Sequence, residues 1–175
     1  MRKCKYLILG LCLLVTGGKA FADNFTEKQT AIIHNEAIKL LQRYQQLSNQ
    51  LADNVVDIDN LNKTSQSLID LFVNRKSIIF NDLDPSYKLS ETYELETYIA
   101  NLLLWYPDGM KIALDFSNLK AGNILSHGND IFTVDLMTTK KNDGNYLNKQ
   151  KNTQTESLLY RIAFFQKENS LENFK

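Results

Sequence analysis

The sequence predicts an α+β domain in which N-terminal helices pack on a curved antiparallel sheet. Two observations lead to this fold class. Up to Pro107, apolar residues recur at intervals of three and four, which is typical of amphipathic helices. After Pro107 they alternate with other residues, which is typical of strands. Helices that come before strands favour a helical layer on one face of an antiparallel sheet.

The first predicted helix is long and amphipathic. Thr26-Glu27-Lys28-Gln29 has the spacing of a capping box, in which a hydroxyl caps the helix and a Gln three residues later bonds back. The apolar residues that follow share one helical face, and they predict a helix over residues 26–52: Ile33, Ala37, Leu40, Leu41, Tyr44, Leu47 and Leu51.

A shorter helix and a short strand are predicted next. Residues 53–62 are polar and rich in turn formers, and Thr64 or Ser65 can cap a second helix that ends near Asn74. Residues 77–80 form a short stretch that contains the β-branched residues Ile78 and Ile79, which favours a strand.

The rest of the chain predicts a third helix and then three or four strands. Ser90 begins the helix, and Pro107 ends it because proline cannot continue the hydrogen-bond ladder. Strands are predicted over residues 110–116, 131–137 and 158–165, with the beginning of a fourth at 173–175. The predicted connections are a turn-like region over 118–129, a polar hairpin connection over 140–155 with a turn at Asn142-Asp143-Gly144-Asn145, and a turn over 167–172.

Residues 1–22 have the parts of a secretory signal peptide in the expected order. Basic residues precede an apolar run over 6–15, and Ala20-Phe21-Ala22 is a small-x-small cleavage site. The run is shorter than the roughly 20 residues that a membrane-spanning helix needs. We therefore expect no membrane span and a single mature domain over 23–175, exported to the periplasm or the extracellular space.

Cysteine content and charge exclude several classes of function. Both cysteines, Cys4 and Cys12, lie in the predicted leader, and Leu11 disfavours a lipoprotein anchored at Cys12 because lipoboxes have a small residue there. The mature chain would have no disulfide, thiolate nucleophile or cysteine-bound metal. It would carry 16 basic and 20 acidic residues, which gives no electrostatic reason to bind nucleic acid. Lys140-Lys141 is expected in a solvated loop.

The stretch Asn81-Asp82-Leu83-Asp84-Pro85-Ser86 is the candidate for chemistry. An EF-hand loop beginning at Asp82 fails, because Tyr87 stands where Gly is required and Tyr93 stands where Glu belongs. No cluster of histidines and no phosphate-loop, serine-hydrolase or zinc-protease motif occurs, so we predict no metal and no cofactor. The open interpretations are an Asx turn after the strand and a general base at Asp82.

The order of elements resembles the NTF2-like superfamily, the cone-shaped fold of nuclear transport factor 2, SnoaL-like cyclases and scytalone dehydratase. The matching pieces cover most of residues 26–175: LLQRYQQLSNQL, SQSLIDLFV with KSIIFNDL, and YELETYIANLLLWYP before GMKIALDF. FNDL and YPDGMKIALDF are also similar to secreted proteins of uncharacterised function from Bacteroidetes-type bacteria. The family's sheet usually ends in a full strand, so the last strand here is expected to be a stub, truncated or completed by a partner.

The resemblance implies a cone that is either packed solid or hollow. If it is hollow, Tyr98, Trp105 and Phe116 are the predicted lining for a small apolar ligand, although aromatics at helical spacing are usually core. Asp82 facing an apolar cavity would have a raised pKa and could act as a general base.

The leading hypothesis is an exported, non-catalytic binding or assembly module. Its surface would be the cone cavity or the open sheet face, through which members of the family often form homodimers. One alternative is a small cofactor-independent cyclase, isomerase or dehydratase with Asp82 as its base. Another is a cystatin-like secreted inhibitor, because cystatins also pack a helix on a curved antiparallel sheet.

Overall fold

A computed structural model describes residues 25–53, 57–86, 89–127, 131–147 and 149–165, together with the backbone of 6–11. The helices are α1 (Glu27–Leu51), α2 (Ile58–Ile69) and α3 (Leu95–Trp105). The strands are β1 (Tyr6–Leu11), β2 (Ile78–Phe80), β3 (Thr92–Glu94), β4 (Met110–Leu114), β5 (Lys120–Ser126), β6 (Ile131–Tyr146), β7 (Gln150–Asn152) and β8 (Thr155–Phe165). The helices precede a mostly antiparallel sheet, so the predicted α+β class is confirmed.

Strand β6 is the centre of the main sheet. Strands β7 and β8 pair with one edge of β6, and β4 and β5 pair with the other edge, all of them antiparallel. Strand β1 adds to the outer edge of β8 in parallel. Strands β2 and β3 form a separate two-stranded sheet just before α3.

Helix α1 begins and packs as its sequence predicts. Gln29 donates its backbone N–H to Thr26 Oγ1 at 3.3 Å, and Thr26 donates its own N–H to Gln29 Oε1 at 2.9 Å. All seven residues of the predicted apolar face are buried. They join the inward side chains of β6 and β8 in one hydrophobic core. No helix in the described part of the chain is both long and apolar enough to cross a bilayer.

The predicted starts of α2 and α3 are wrong. Helix α2 begins within the region predicted to be turns, because Asp57 Oδ1 caps it by accepting the Asn60 N–H at 3.0 Å. Helix α3 begins only at Leu95, because the residues before it pair with β2 as strand β3, with Tyr93 opposite Ile79. Its end at Trp105, just before Pro107, agrees with the prediction.

The largest error lies in β6. The predicted turn at Asn142-Asp143-Gly144-Asn145 lies inside this strand, and the polar connection over 140–155 is mostly β-structure. Gly144 serves close packing there, since an added Cβ would lie 3.0 Å from Gly109 O and from Tyr106 Cδ1. The chain instead turns near Leu147, which has a positive φ of 48°.

Three other differences concern the sheet. Strand β5 forms within the predicted turn region, β4 ends two residues earlier than predicted, and β8 begins three residues earlier. The predicted turn over 167–172 and strand over 173–175 lie outside the described residues. The predicted leader includes β1, and its cleavage stays a prediction.

Candidate functional site

The candidate site is a buried cluster of Asp82, Tyr98 and Lys140. Asp82 follows β2, Tyr98 lies on the inward face of α3, and Lys140 points inward from the middle of β6. Each residue is 2 % exposed or less. Three separate elements therefore bring an acid, a phenol and an amine together inside the domain.

The three side chains contact one another directly. Lys140 Nζ lies 2.7 Å from Asp82 Oδ2, Tyr98 donates its O–H to Asp82 Oδ1 at 2.8 Å, and Lys140 donates to Tyr98 Oη at 2.9 Å. Each pair of polar groups in the triangle is thus in contact. Burial of an ion pair is better tolerated when further hydrogen bonds reach its members, as Tyr98 does here for Asp82 Oδ1 and Lys140 Nζ.

Aromatic rings surround the ammonium group. Lys140 Nζ lies 5.9 Å from the ring centroid of Tyr44 and 5.6 Å from that of Tyr98. Tyr44 also packs against Tyr160, with 5.8 Å between the ring centroids. Both centroid distances are within the range of cation–π contacts, which are stronger where the cation is shielded from water.

The electrostatics keep Lys140 charged and Tyr98 neutral. Burial lowers the pKa of Lys140, but the adjacent Asp82 carboxylate and the contacts with Tyr44 outweigh burial and raise this pKa above its usual value. Burial, reinforced by the charge of Asp82, raises the pKa of Tyr98 well above that of a free tyrosine. The cluster is therefore an ammonium–carboxylate pair with a phenol that donates a hydrogen bond.

The backbone around Asp82 is also held by the sheet. Asn142 donates its side-chain amide to Asp82 O at 2.9 Å, and Tyr106 donates its O–H to Leu83 O at 2.5 Å. Tyr106 in turn accepts from Asn152 Nδ2 at 2.5 Å. The segment after β2 is thus clamped against β6 and β7, and its main-chain carbonyls are satisfied in the interior.

The neighbouring polar residues form the predicted Asx turns. Asn81 Oδ1 accepts the Leu83 N–H at 3.2 Å, and Asp84 Oδ1 accepts the Ser86 N–H at 2.9 Å. Asp82 differs from both, because its carboxylate bonds Tyr98 and Lys140 rather than its own turn. The stretch is therefore a turn whose middle carboxylate reaches into the core.

This arrangement opposes a general-base role for Asp82. A base must reach the proton that it abstracts within hydrogen-bond distance. The two oxygens of Asp82 already face Tyr98 and Lys140, and the side chain is shielded from solvent. Proton abstraction from a substrate would require both contacts to open. The geometry therefore favours a structural role for Asp82.

The predicted ligand-lining residues occupy different surroundings. Tyr98 belongs to the buried cluster. Trp105 is half-buried and makes edge contacts with Tyr93 and Tyr146, with 6.1 Å and 5.7 Å between ring centroids. Phe116 follows β4 and packs, partly buried, against the core. A ligand-binding role for these three residues stays a prediction.

Lys140 is the residue that the sequence interpretation missed. It was expected in a solvated loop, but it is 2 % exposed, so that expectation is wrong. The sequence did contain a signal. Lys140 is an even number of positions from Phe132, Val134 and Leu136, and in a strand such residues point to the same face, which here is the core. The turn-like residues after Lys140 concealed that the alternation continues.

An open cleft of about 370 Å³ lies apart from the cluster, where the end of α1 meets the beginning of β4. Asp53, Asp108 and Asp143 are among the residues that line it. Among the described residues, no group of three or more histidine, cysteine, aspartate or glutamate side chains is arranged to hold a metal ion.

The outer sheet face is the surface of β5, β6 and β8 that points away from the core. Leu125 and Met137 are 48 % and 43 % exposed there. Between them, Arg161 binds Asp135 through two hydrogen bonds of 2.8 Å each. This face therefore combines exposed apolar side chains with a paired charge.

Neither a scan of the chain against protein-family models nor a search of curated proteins finds a match. The NTF2-like resemblance therefore rests on the order of elements in this chain and stays a prediction.

Proposed function

We propose that this protein is an exported, non-catalytic binding or assembly module. The observation that carries the proposal is the contact of 2.7 Å between Lys140 Nζ and Asp82 Oδ2 inside the core. It occupies the carboxylate that the sequence nominated as a catalytic base. With Asp82 occupied in this way, Asp82 and Lys140 stabilise and specify the fold. We therefore assign the function to the surface of the domain.

The outer sheet face is the surface that we assign to assembly, with a second copy of the chain as the partner. Leu125 and Met137 offer apolar area to a partner. A two-fold axis would bring the same face of two copies together, which is the commonest arrangement in homo-oligomers. Arg161 and Asp135 could then exchange partners across the axis without leaving a charge unpaired. Pairing through this face is also what the NTF2-like resemblance implies.

Light scattering coupled to size-exclusion chromatography tests the proposal on the exported, processed protein. We expect a dimer at micromolar concentration, and Met137→Asp or Leu125→Asp should shift it to monomer, because each buries a charge in the contact. The matched control is Leu104→Asp on α3, since Leu104 is 69 % exposed and lies outside the outer sheet face. A strict monomer, or equal effects of all three variants, would overturn the assignment.

A further inference from the structure

Strand β1 lies along the outer edge of β8. The two strands pair in parallel over six residues, from Tyr6 opposite Leu159 to Leu11 opposite Phe164. Strand β1 is the last strand on this side of the sheet, and it also lies beside α1 and β2. There is therefore room beside the edge of β8 for one extended segment.

The segment in this place belongs to the predicted leader. Cleavage after Ala22 would remove β1 from the mature chain while β8 remains. Alternate residues of β8 between 159 and 164 would then present the backbone N–H and C=O groups that β1 had paired. Unpaired edge groups of this kind are a template for another strand.

Strand β8 has few of the features that protect natural edge strands. Residues 159–164 contain no proline and no lysine, and pairing with β6 continues without a bulge from Phe165 to Thr155. Arg161 is the charged residue in this stretch, and it is bound to Asp135. The other residues of this stretch are apolar and are buried in the full chain, with exposed fractions of 9 % or less: Leu159, Tyr160, Ile162, Ala163 and Phe164.

We propose that the mature domain uses the β8 edge to bind an extended, uncharged, apolar segment of a partner protein. The segment would add to the sheet parallel to β8, in the place that β1 occupies in the full chain. Its chemistry follows from β1, whose sequence Tyr-Leu-Ile-Leu-Gly-Leu carries no charge. The main-chain ladder supplies affinity, and side chains at alternate positions supply selectivity. This inference rests on the proposed function in one respect, the removal of the leader on export.

The probe is a synthetic peptide of residues 6–11 with lysines added at both ends for solubility. It is titrated into the exported, processed protein, whose N-terminus is established by mass spectrometry. We expect saturable binding of one peptide per chain by calorimetry, and a higher midpoint of thermal unfolding because the peptide binds the folded state.

Two N-methylated peptides provide matched controls that leave the protein unchanged. In a parallel ladder, alternate residues direct their N–H groups toward the same neighbour. One peptide is methylated at residues 6, 8 and 10, and the other at residues 7, 9 and 11. One of them should lose at least about tenfold in affinity, because buried acceptors on β8 lose their donors, while the other binds like the parent peptide.

Absence of saturable binding, or equal losses for both methylated peptides, would overturn the proposal. Recovery of the exported protein with residues 6–11 still attached would overturn it too, because β1 would then keep the edge. The oligomeric state decides the proposed assembly separately. A monomer that binds the peptide refutes the outer-face dimer and supports this site, and a dimer that ignores the peptide does the reverse.

Discussion

Lys140 and Asp82 form an ion pair of 2.7 Å in the core, with exposed side-chain fractions of only 1 % and 2 %. The residues are 58 positions apart in sequence and come from β6 and from the segment after β2. The pair joins the main sheet to the segment after β2 at a point where neither charge has access to water. Its consequences for stability are therefore large and measurable.

Removal of one member of the pair should destabilise the domain strongly. Asp82→Asn leaves the Lys140 ammonium buried without its counter-charge, and Lys140→Met does the same to Asp82. We expect each to lower the free energy of unfolding by about 3–5 kcal/mol, measured by urea denaturation. Asp143→Asn is the matched control, because Asp143 pairs with Lys151 at 3.6 Å on the surface, where such pairs contribute about 0–1 kcal/mol. Equal losses in the buried and surface variants would contradict the account.

Two buried tyrosines should respond differently to loss of the hydroxyl. Tyr98→Phe removes the donor to Asp82 Oδ1, and we expect a loss of about 1–3 kcal/mol because a charged acceptor is left unsatisfied. Tyr160 is equally buried, but its hydroxyl has no hydrogen-bond partner in the described part of the chain. Tyr160→Phe should therefore be neutral or stabilising. Thermal unfolding of both variants checks the contrast, and the opposite order would refute it.

Stability should fall at alkaline pH. Burial raises the pKa of Tyr98 and of Tyr160 well above the usual tyrosine value, and the pKa of Lys140 is also raised. The folded state therefore keeps protons that the unfolded chain releases above about pH 10. The stabilisation is complete below that pH and is lost as the pH rises through the raised pKa values.

A pH series of urea denaturations measures this effect. The free energy of unfolding of the unmodified protein should decline above about pH 10. In Tyr98→Phe the decline should be shallower by about 1.4 kcal/mol per pH unit, which is the contribution of one proton. The same slope in both proteins would show that Tyr98 does not hold its proton through folding.

Gly144 should be intolerant of a side chain. An added Cβ would lie 3.0 Å from Gly109 O and 3.1 Å from Met110 Cβ, so the backbones of β4 and β6 would have to separate. We expect Gly144→Ala to cost about 1–3 kcal/mol, the usual range for overpacking. Asn145→Ala is the control on the neighbouring, exposed position, where little change is expected. A stabilised Gly144→Ala would contradict the close approach of Gly144 to Gly109 and Met110.

Sequence patterns predicted well where local chemistry and tertiary packing agree. Helix α1 has both a capping box and an unbroken apolar face, so its bounds and buried residues followed from the sequence. The class of fold followed from the change of period after Pro107.

The errors arose where tertiary packing overrides local preference. Asn142-Asp143-Gly144-Asn145 has the composition of a turn, but pairing with β4 and β7 holds it extended. The same error concealed the site, because Lys140 is recognised as inward-facing only if β6 continues past Met137. Its partner, Asp82, was singled out from the sequence. Which side chain pairs with Asp82 depends on contacts between segments that are distant in sequence.

The coupling free energy between Asp82 and Lys140 tests the central claim most directly. A double-mutant cycle of Asp82→Leu, Lys140→Met and the combined variant, followed by urea denaturation, measures it. If the two charges form a sealed structural pair, each single variant loses about 3–5 kcal/mol, and the double variant recovers most of that loss, because an apolar pair removes both buried charges. Additive losses, with a coupling free energy near zero, would contradict the account and reopen Asp82 as a group available for catalysis.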